Sequence, residues 1–216
     1  MSLIQPRICT LRGGELIMIR CAVEADAGAL SEFYYQGLLT SDHNVTEPEE
    51  FSLRGERCVE LVREALTNPS RLVLLALDPA PKPGDAQQTV VSDGRIIGSV
   101  EFKDHNRRRL AHHGSLGIGV AQVWRGRGVG RELIASLLDW AREHPTIEKV
   151  CLGVFATNTR ARALYRSMGF IEECRRVREF KLGPGRYEDD IQMSLWVKPV
   201  SVPPKAASSP RPGGQQ

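Results

Sequence analysis

Val120–Arg131 reads VAQVWRGRGVGR, and its two flanks differ in hydrophobic period. Before it, Ser115–Val120 alternates Leu116, Ile118 and Val120 with small residues, the two-residue period of a strand. After it, Leu133, Ile134, Leu137, Leu138 and Ala141 share one face of a helix predicted over Gly128–Glu143, with Pro145 beyond its end. The stretch is therefore a strand-to-helix turn. Gly126, Gly128 and Gly130 remove three side chains where the backbone enters the helix, so the free N–H groups of the first turn can approach an anion. The helix dipole favours that anion, and Arg125, Arg127 and Arg131 add charge around it. Two common phosphate motifs do not fit: there is no G-x-x-x-x-G-K-[ST], and Arg131 stands where G-x-G-x-x-G needs its last glycine. A tight, well-capped turn is the plainer alternative.

A second segment lies about thirty residues on, in a helix predicted over Asn158–Met168 with Gly169 at its end. Asn158 and Tyr165 are seven residues apart, two helical turns, and so can present an amide and a phenol to one bound molecule. Taken alone, Asn158 is also a good N-cap and Tyr165 a half-buried aromatic.

Together the two segments resemble the GNAT N-acetyltransferase superfamily. Arg125–Gly130 matches its acetyl-CoA signature [QR]-x-x-G-x-[GA], and Asn158–Phe170 matches N-x-x-A-x-x-L-Y-x-x-x-G-F. The resemblance extends over roughly Ile19–Val197. It implies an α/β (α+β) fold: a mixed, mostly antiparallel central sheet, helices on both faces, and a V-shaped splay between the two central strands. It implies acetyl-CoA as co-substrate, no metal, and an amine acceptor. Ile118, Gly119 and Val120 would contact the pantetheine arm. Arg125, Gly126, Arg127, Gly128, Val129, Gly130 and Arg131 would cradle the diphosphate, and Asn158 and Tyr165 would face the bound molecule.

The chemistry implied is attack of a neutral amine on the thioester, an oxyanion held by backbone N–H groups near Ile118–Val120, and a departing thiolate assisted by Tyr165. The base is where this sequence departs from the pattern. Many members that modify peptide N-termini carry Glu five residues before the Asn; here that residue is Gly153. Glu101 and His112 (or His113) are the substitutes, and a water relay would need neither. The acceptor is a small amine or a peptide N-terminus, with the missing Glu favouring the former. A non-catalytic acyl-CoA-binding sensor or subunit is the alternative.

The rest of the chain frames this unit. Residues 1–16 read as a loose arm or a short extra strand, and Leu16–Ala22 as a strand. Asp26 reads as the N-cap of a helix bearing Leu30, Phe33, Tyr34 and Leu38, and Ser52–Leu66 as a second helix. Leu72–Leu77 (LVLLAL) suits a strand buried on both faces. Asp78–Thr89 is a Pro/Gly-rich loop, and Asp93-Gly94 a hairpin turn. Val150–Phe155, Ile171–Leu182 and Asp190–Val197 complete the strands. Pro199–Gln216 reads as a disordered tail beyond a transferase domain at 17–198.

Composition bounds the alternatives. The 216 residues are 41% hydrophobic and 25% charged, an ordinary globular balance. A net charge of +3 with locally clustered arginines suits a phosphate-bearing ligand better than nucleic acid. The five cysteines are scattered, without a C-x-x-C pair, as in a reduced chain. No leader and no 18-residue apolar run is present, so the expectation is a cytoplasmic protein off the membrane, with a homodimer left open.

Overall fold

The computed structural model describes residues 4–79, 90–105 and 107–199. Most of the expected loop at 78–89 and nearly all of the expected tail lie outside these residues.

Within the N-terminal stretch, Arg7–Thr10 belong to the sheet. β1 (Arg7–Thr10) pairs antiparallel with β2 (Leu16–Cys21), the strand alternative of the two readings. A single turn of 3-10 helix at Glu24–Asp26 leads into α1 (Ala27–Leu39). Asp26 sits at the N-cap position, yet its carboxylate does not cap the helix. It is buried and bonded to Arg20 at 2.6 and 3.0 Å, because an arginine interior to β2 needs that charge more than the helix end does. α2 (Glu56–Thr67) starts later than its apolar pattern suggested, after a left-handed Gly55. β3 (Arg71–Asp78) follows, buried through its interior as its unbroken apolar run requires.

The short β4 (Val90–Val91) turns through Asp93-Gly94 into β5 (Gly94–Asp104). β6 (His113–Val120) leads to α3 (Val129–Glu143), and β7 (Lys149–Phe155) to α4 (Thr159–Ser167). β8 (Ile171–Gly183) and β9 (Arg186–Trp196) close the chain as a hairpin. Among the described residues they form one nine-stranded sheet in the order β1-β2-β3-β5-β6-β7-β9-β8, with β4 beside β5.

Every pairing is antiparallel except β6 with β7. That parallel ladder joins only His113–Ser115 to Lys149–Cys151. Beyond it the two strands part, which is the expected splay at the centre of the sheet. Two apolar clusters hold the layers. Leu133, Ile134 and Leu137 of α3 are fully buried against Leu74, Val100, Leu152 and Ile191, and Tyr165 and Phe170 join the same cluster. On the other face, Leu30 and Phe33 of α1 and Cys58 and Val62 of α2 pack on Val73, Leu75 and Ile96. Each fully buried leucine or isoleucine contributes about 1.5–3 kcal/mol. Among the described residues no helix is long and apolar enough to cross a membrane.

Candidate functional site

A cleft of about 1500 Å³ runs along the part of β6 that lies beyond its short ladder with β7. Its lining includes Gly117–Val120, the turn from Arg125 to Arg131, Asn158 and Tyr165, and on the other side Phe33, Tyr34, His43, Phe51 and Glu101.

The turn forms one wall. Ala121 N–H donates to Ile97 O, and strand alternation turns Gly119 the same way, toward β5. Ile118 and Val120 therefore direct their N–H and C=O groups into the gap, while Gly119 contributes a bare face, 3.4 Å from Phe33 to any Cβ placed there. Further on, Arg131 and Glu132 N–H donate to Gly128 O. Among the described residues the N–H groups from Gly126 through Gly130 have no protein acceptor. Gly126 and Gly128 hold φ of +86° and +109°, the left-handed region that lets the chain present this run of donors. A side chain on Gly126 would collide with Arg160 Nη2. The cradle thus fits an anion with several oxygens, and a diphosphate is one.

The arginines divide. Arg125 lines the cleft but is committed: its guanidinium donates to Val120 O at 3.0 Å and to Thr40 O at 2.9 Å, tying the turn to the end of α1. Burial, and then the charge of Arg160, lowers its pKa. Arg131 lines the cleft and donates to Ser167 Oγ at 2.5 Å. Arg127 points away, pairing with Glu15 at 3.1 Å over the Trp124 ring, and the Val129 side chain is core. Arg160 lines the cleft and makes no ion pair among the described residues, so its charge is available to a ligand beside the turn. The sequence places Arg160 in a basic cluster, but only the contact with Gly126 reveals its aim.

Tyr165 is 6% exposed and its hydroxyl has no hydrogen-bond partner among the described residues. Burial pushes its pKa up to about 12, which makes it a neutral donor rather than a proton-releasing acid. Asn158 caps α4 through Oδ1, which accepts Ala161 N–H at 3.1 Å, and it also borders the cleft. Glu101 lies on β5 opposite Gly117 and reaches the cleft beneath it. Burial raises its pKa, with Lys103 and Arg71 opposing. His112 is not brought to the site. It precedes β6 at the closed end of the splay, stacked on Trp196 at 6.2 Å, because five strand residues stand between it and Ile118. His113 begins β6 at the same end, so neither histidine reaches the cleft. Tyr34, whose hydroxyl meets Ser99 Oγ at 3.2 Å, and His43 are cleft residues that sequence reasoning read only as helix face and loop. Among the described residues no group of three or more His, Cys, Asp or Glu is placed to hold a metal.

Several known proteins are similar to the chain. The chain is 28% identical over 115 residues to the L-amino acid N-acetyltransferase AaaT of Escherichia coli (strain K12), covering 53% of this chain and 70% of that one. It is 34% identical over 108 residues to the spermidine N(1)-acetyltransferase of Vibrio cholerae, covering 49% and 61%. The structure of yncA, a putative acetyltransferase from Salmonella typhimurium with its cofactor acetyl-CoA, superimposes with a TM-score of 0.70 at 20% identity, over 88% of this chain and 99% of that one. The family model described as acetyltransferase (GNAT) family matches residues 55–170, more than half of the chain. The turn, the splay and this match agree: the chain belongs to the GNAT acetyltransferase family and is an acyltransferase.

Proposed function

We propose that the chain is an acetyl-CoA-dependent N-acetyltransferase acting on a primary amine of a small molecule or a peptide N-terminus. The observation that carries this reading is the run of unpartnered N–H groups from Gly126 to Gly130 in the same cleft as the unpartnered Tyr165 hydroxyl. The first suits the CoA diphosphate and the second its sulfur. The acetyl-CoA in the Salmonella structure supports the assignment of the co-substrate.

In this reading the amine nitrogen bonds to the thioester carbonyl carbon and the C–S bond breaks. The N–H groups of Ile118 and Val120 that face the gap stabilise the oxyanion. Tyr165 keeps its proton and donates a hydrogen bond to the departing thiolate. Glu101, which β5 places opposite Gly117 in the cleft, takes the proton from the amine, directly or through water. Its burial raises its proton affinity toward that task. The described cysteines are all unpaired, which supports a reducing, cytoplasmic compartment.

The test is a panel of alkylamines, polyamines, amino acids and peptides incubated with acetyl-CoA while released thiol is measured. Thiol release that saturates with one acceptor class is expected. Saturable stabilisation by acetyl-CoA without release for any acceptor would leave a binding protein instead.

A further inference from the structure

The β7 lip of the splay carries Gly153, and the neighbouring strand brings a carboxylate to it. Glu101 pairs with Gly117 across β5 and β6, and Gly153 pairs with Gln192 across β7 and β9. Since Ser115 pairs with Cys151, Gly117 and Gly153 stand two residues further out, on either side of the gap and on the same face. A Cβ on Gly117 would come within 2.9 Å of Glu101 Oε1. A Cβ on Gly153 would come within 3.0 Å of Asp190 Oδ1 and 2.8 Å of Gln192 Nε2. Both strands therefore lack a side chain where a carboxylate from the next strand leans over.

Asp190 is only 4% exposed. Its Oδ2 accepts from Gln192 Nε2 at 2.5 Å and lies 3.7 Å from Arg176 Nη1. Arg176 also pairs with Glu179 at 3.3 Å. Oδ1 accepts no hydrogen bond among the described residues and faces the space over Gly153, which is exposed. A carboxylate oxygen left open over an exposed glycine, while its twin is engaged by Gln192, is a ready acceptor for a cation. Beside it, Phe155 stacks on Phe180 at 4.7 Å and meets His43 at 6.2 Å, an aromatic wall suited to methylenes.

We propose that this space receives the acceptor's ammonium group, with Asp190 on the β9 side and Glu101 on the β5 side. The acceptor is then an alkylammonium with no carboxylate beside its nitrogen, since such a group would be driven against both acids. The inference rests on the transferase reading above.

The test compares 1,4-diaminobutane with L-leucine at saturating acetyl-CoA, reading thiol release. The diamine is the better acceptor. Asp190→Asn raises its KM about 10- to 100-fold with kcat little changed, the loss of one charge-assisted hydrogen bond. Asp190→Glu restores part of that loss. Gly153→Ala keeps the charge but covers Oδ1, shifting the Gln192 amide that donates to Oδ2, and raises the same KM. Thermal stabilisation by acetyl-CoA stays as in wild type in all three. Preference for L-leucine, or an unchanged diamine KM in Asp190→Asn, overturns the proposal. So does a loss in Asp190→Asn that weakens acetyl-CoA stabilisation equally and is absent from Gly153→Ala. A wild-type chain that binds acetyl-CoA but acetylates no amine defeats the transferase reading first, and this inference with it.

Discussion

The two walls of the cleft are built on different principles. The wall from Ile118 to Arg131 is a single stretch of chain whose backbone groups face the gap, with glycines in place of side chains. The opposite wall is made of side chains gathered from distant segments: Phe33 and Tyr34 from α1, His43 and Phe51 from the loop after it, and Glu101 from β5. A backbone wall reads a feature common to many reactions, a phosphate chain. A side-chain wall can change one residue at a time, so the acceptor can differ among relatives while the first wall stays. The two relatives named above act on an amino acid and on a polyamine, in keeping with that division.

If the backbone wall works as described, the largest effect should come from its geometry. Gly128 has φ of +109°, and a Cβ there would meet nothing nearer than ordinary contact with Leu11 at 3.7 Å. Gly128→Val thus acts through conformation: a β-branched residue there costs roughly 1–3 kcal/mol in strain and turns the donors aside. Stabilisation by acetyl-CoA should vanish and its affinity fall by at least about 100-fold. Circular dichroism should show the fold intact; unchanged affinity in such a folded variant would break the comparison.

The next largest effect tests the point where the walls meet. Tyr165→Phe should lower kcat by roughly 10- to 100-fold with acetyl-CoA affinity preserved, because the ring stays and only the donor is lost. Since burial holds its pKa near about 12, the kcat profile of wild type should show no ionisation of this phenol below that pH. Wild-type kcat under chemistry-limited conditions would return Tyr165 to packing alone.

Glu101→Gln sharpens the side-chain wall. At neutral pH kcat/KM should fall about 10-fold, the lower reach of a base that water can partly replace. The folded-state pKa of Glu101 is raised, so the stability its protonated form contributes is present below the ordinary value and lost as pH rises through the folded one. Glu101→Gln should therefore melt higher than wild type at pH 7 and 8, with the margin closing in acid. A lower melting temperature at pH 8 would contradict the burial argument. The smallest effect belongs to His112→Gln, which should leave kcat/KM within about twofold across pH, because His112 stands outside the cleft.

The same contrast decides what was legible in the sequence. The turn could be read because period, glycine spacing and charge all lie within a dozen consecutive residues. The splay followed by resemblance, and the short β6–β7 ladder is its physical form. Asp26 misled because its role is set by Arg20, a partner whose burial no local pattern reveals. Arg125 and Arg127 sit two residues apart with similar surroundings in sequence, yet one ties down α1 and the other leaves the site for Glu15. His112 is next to β6 along the chain and far in space from the end of β6 that lines the cleft. Asp190 gave no signal, since its approach to Gly153 depends on the register of β9 against β7, where Asp190 pairs with Phe155, thirty-five residues earlier.

The short ladder at the centre of the sheet has a mechanical consequence. Three register pairs hinge two plates, and beyond Ser115 and Cys151 no pairing joins β6 to β7. What spans the hinge is the apolar cluster running from Ile17 and Leu74 through α3 to Leu152, Ile191 and Phe170. Widening the mouth by an ångström breaks no rung of the ladder; its stiffness comes from close-packed side chains, which resist compression and transmit strain. The gape of the cleft is thus set from behind, by the volume of residues such as Leu133 and Leu137 that lie outside its lining.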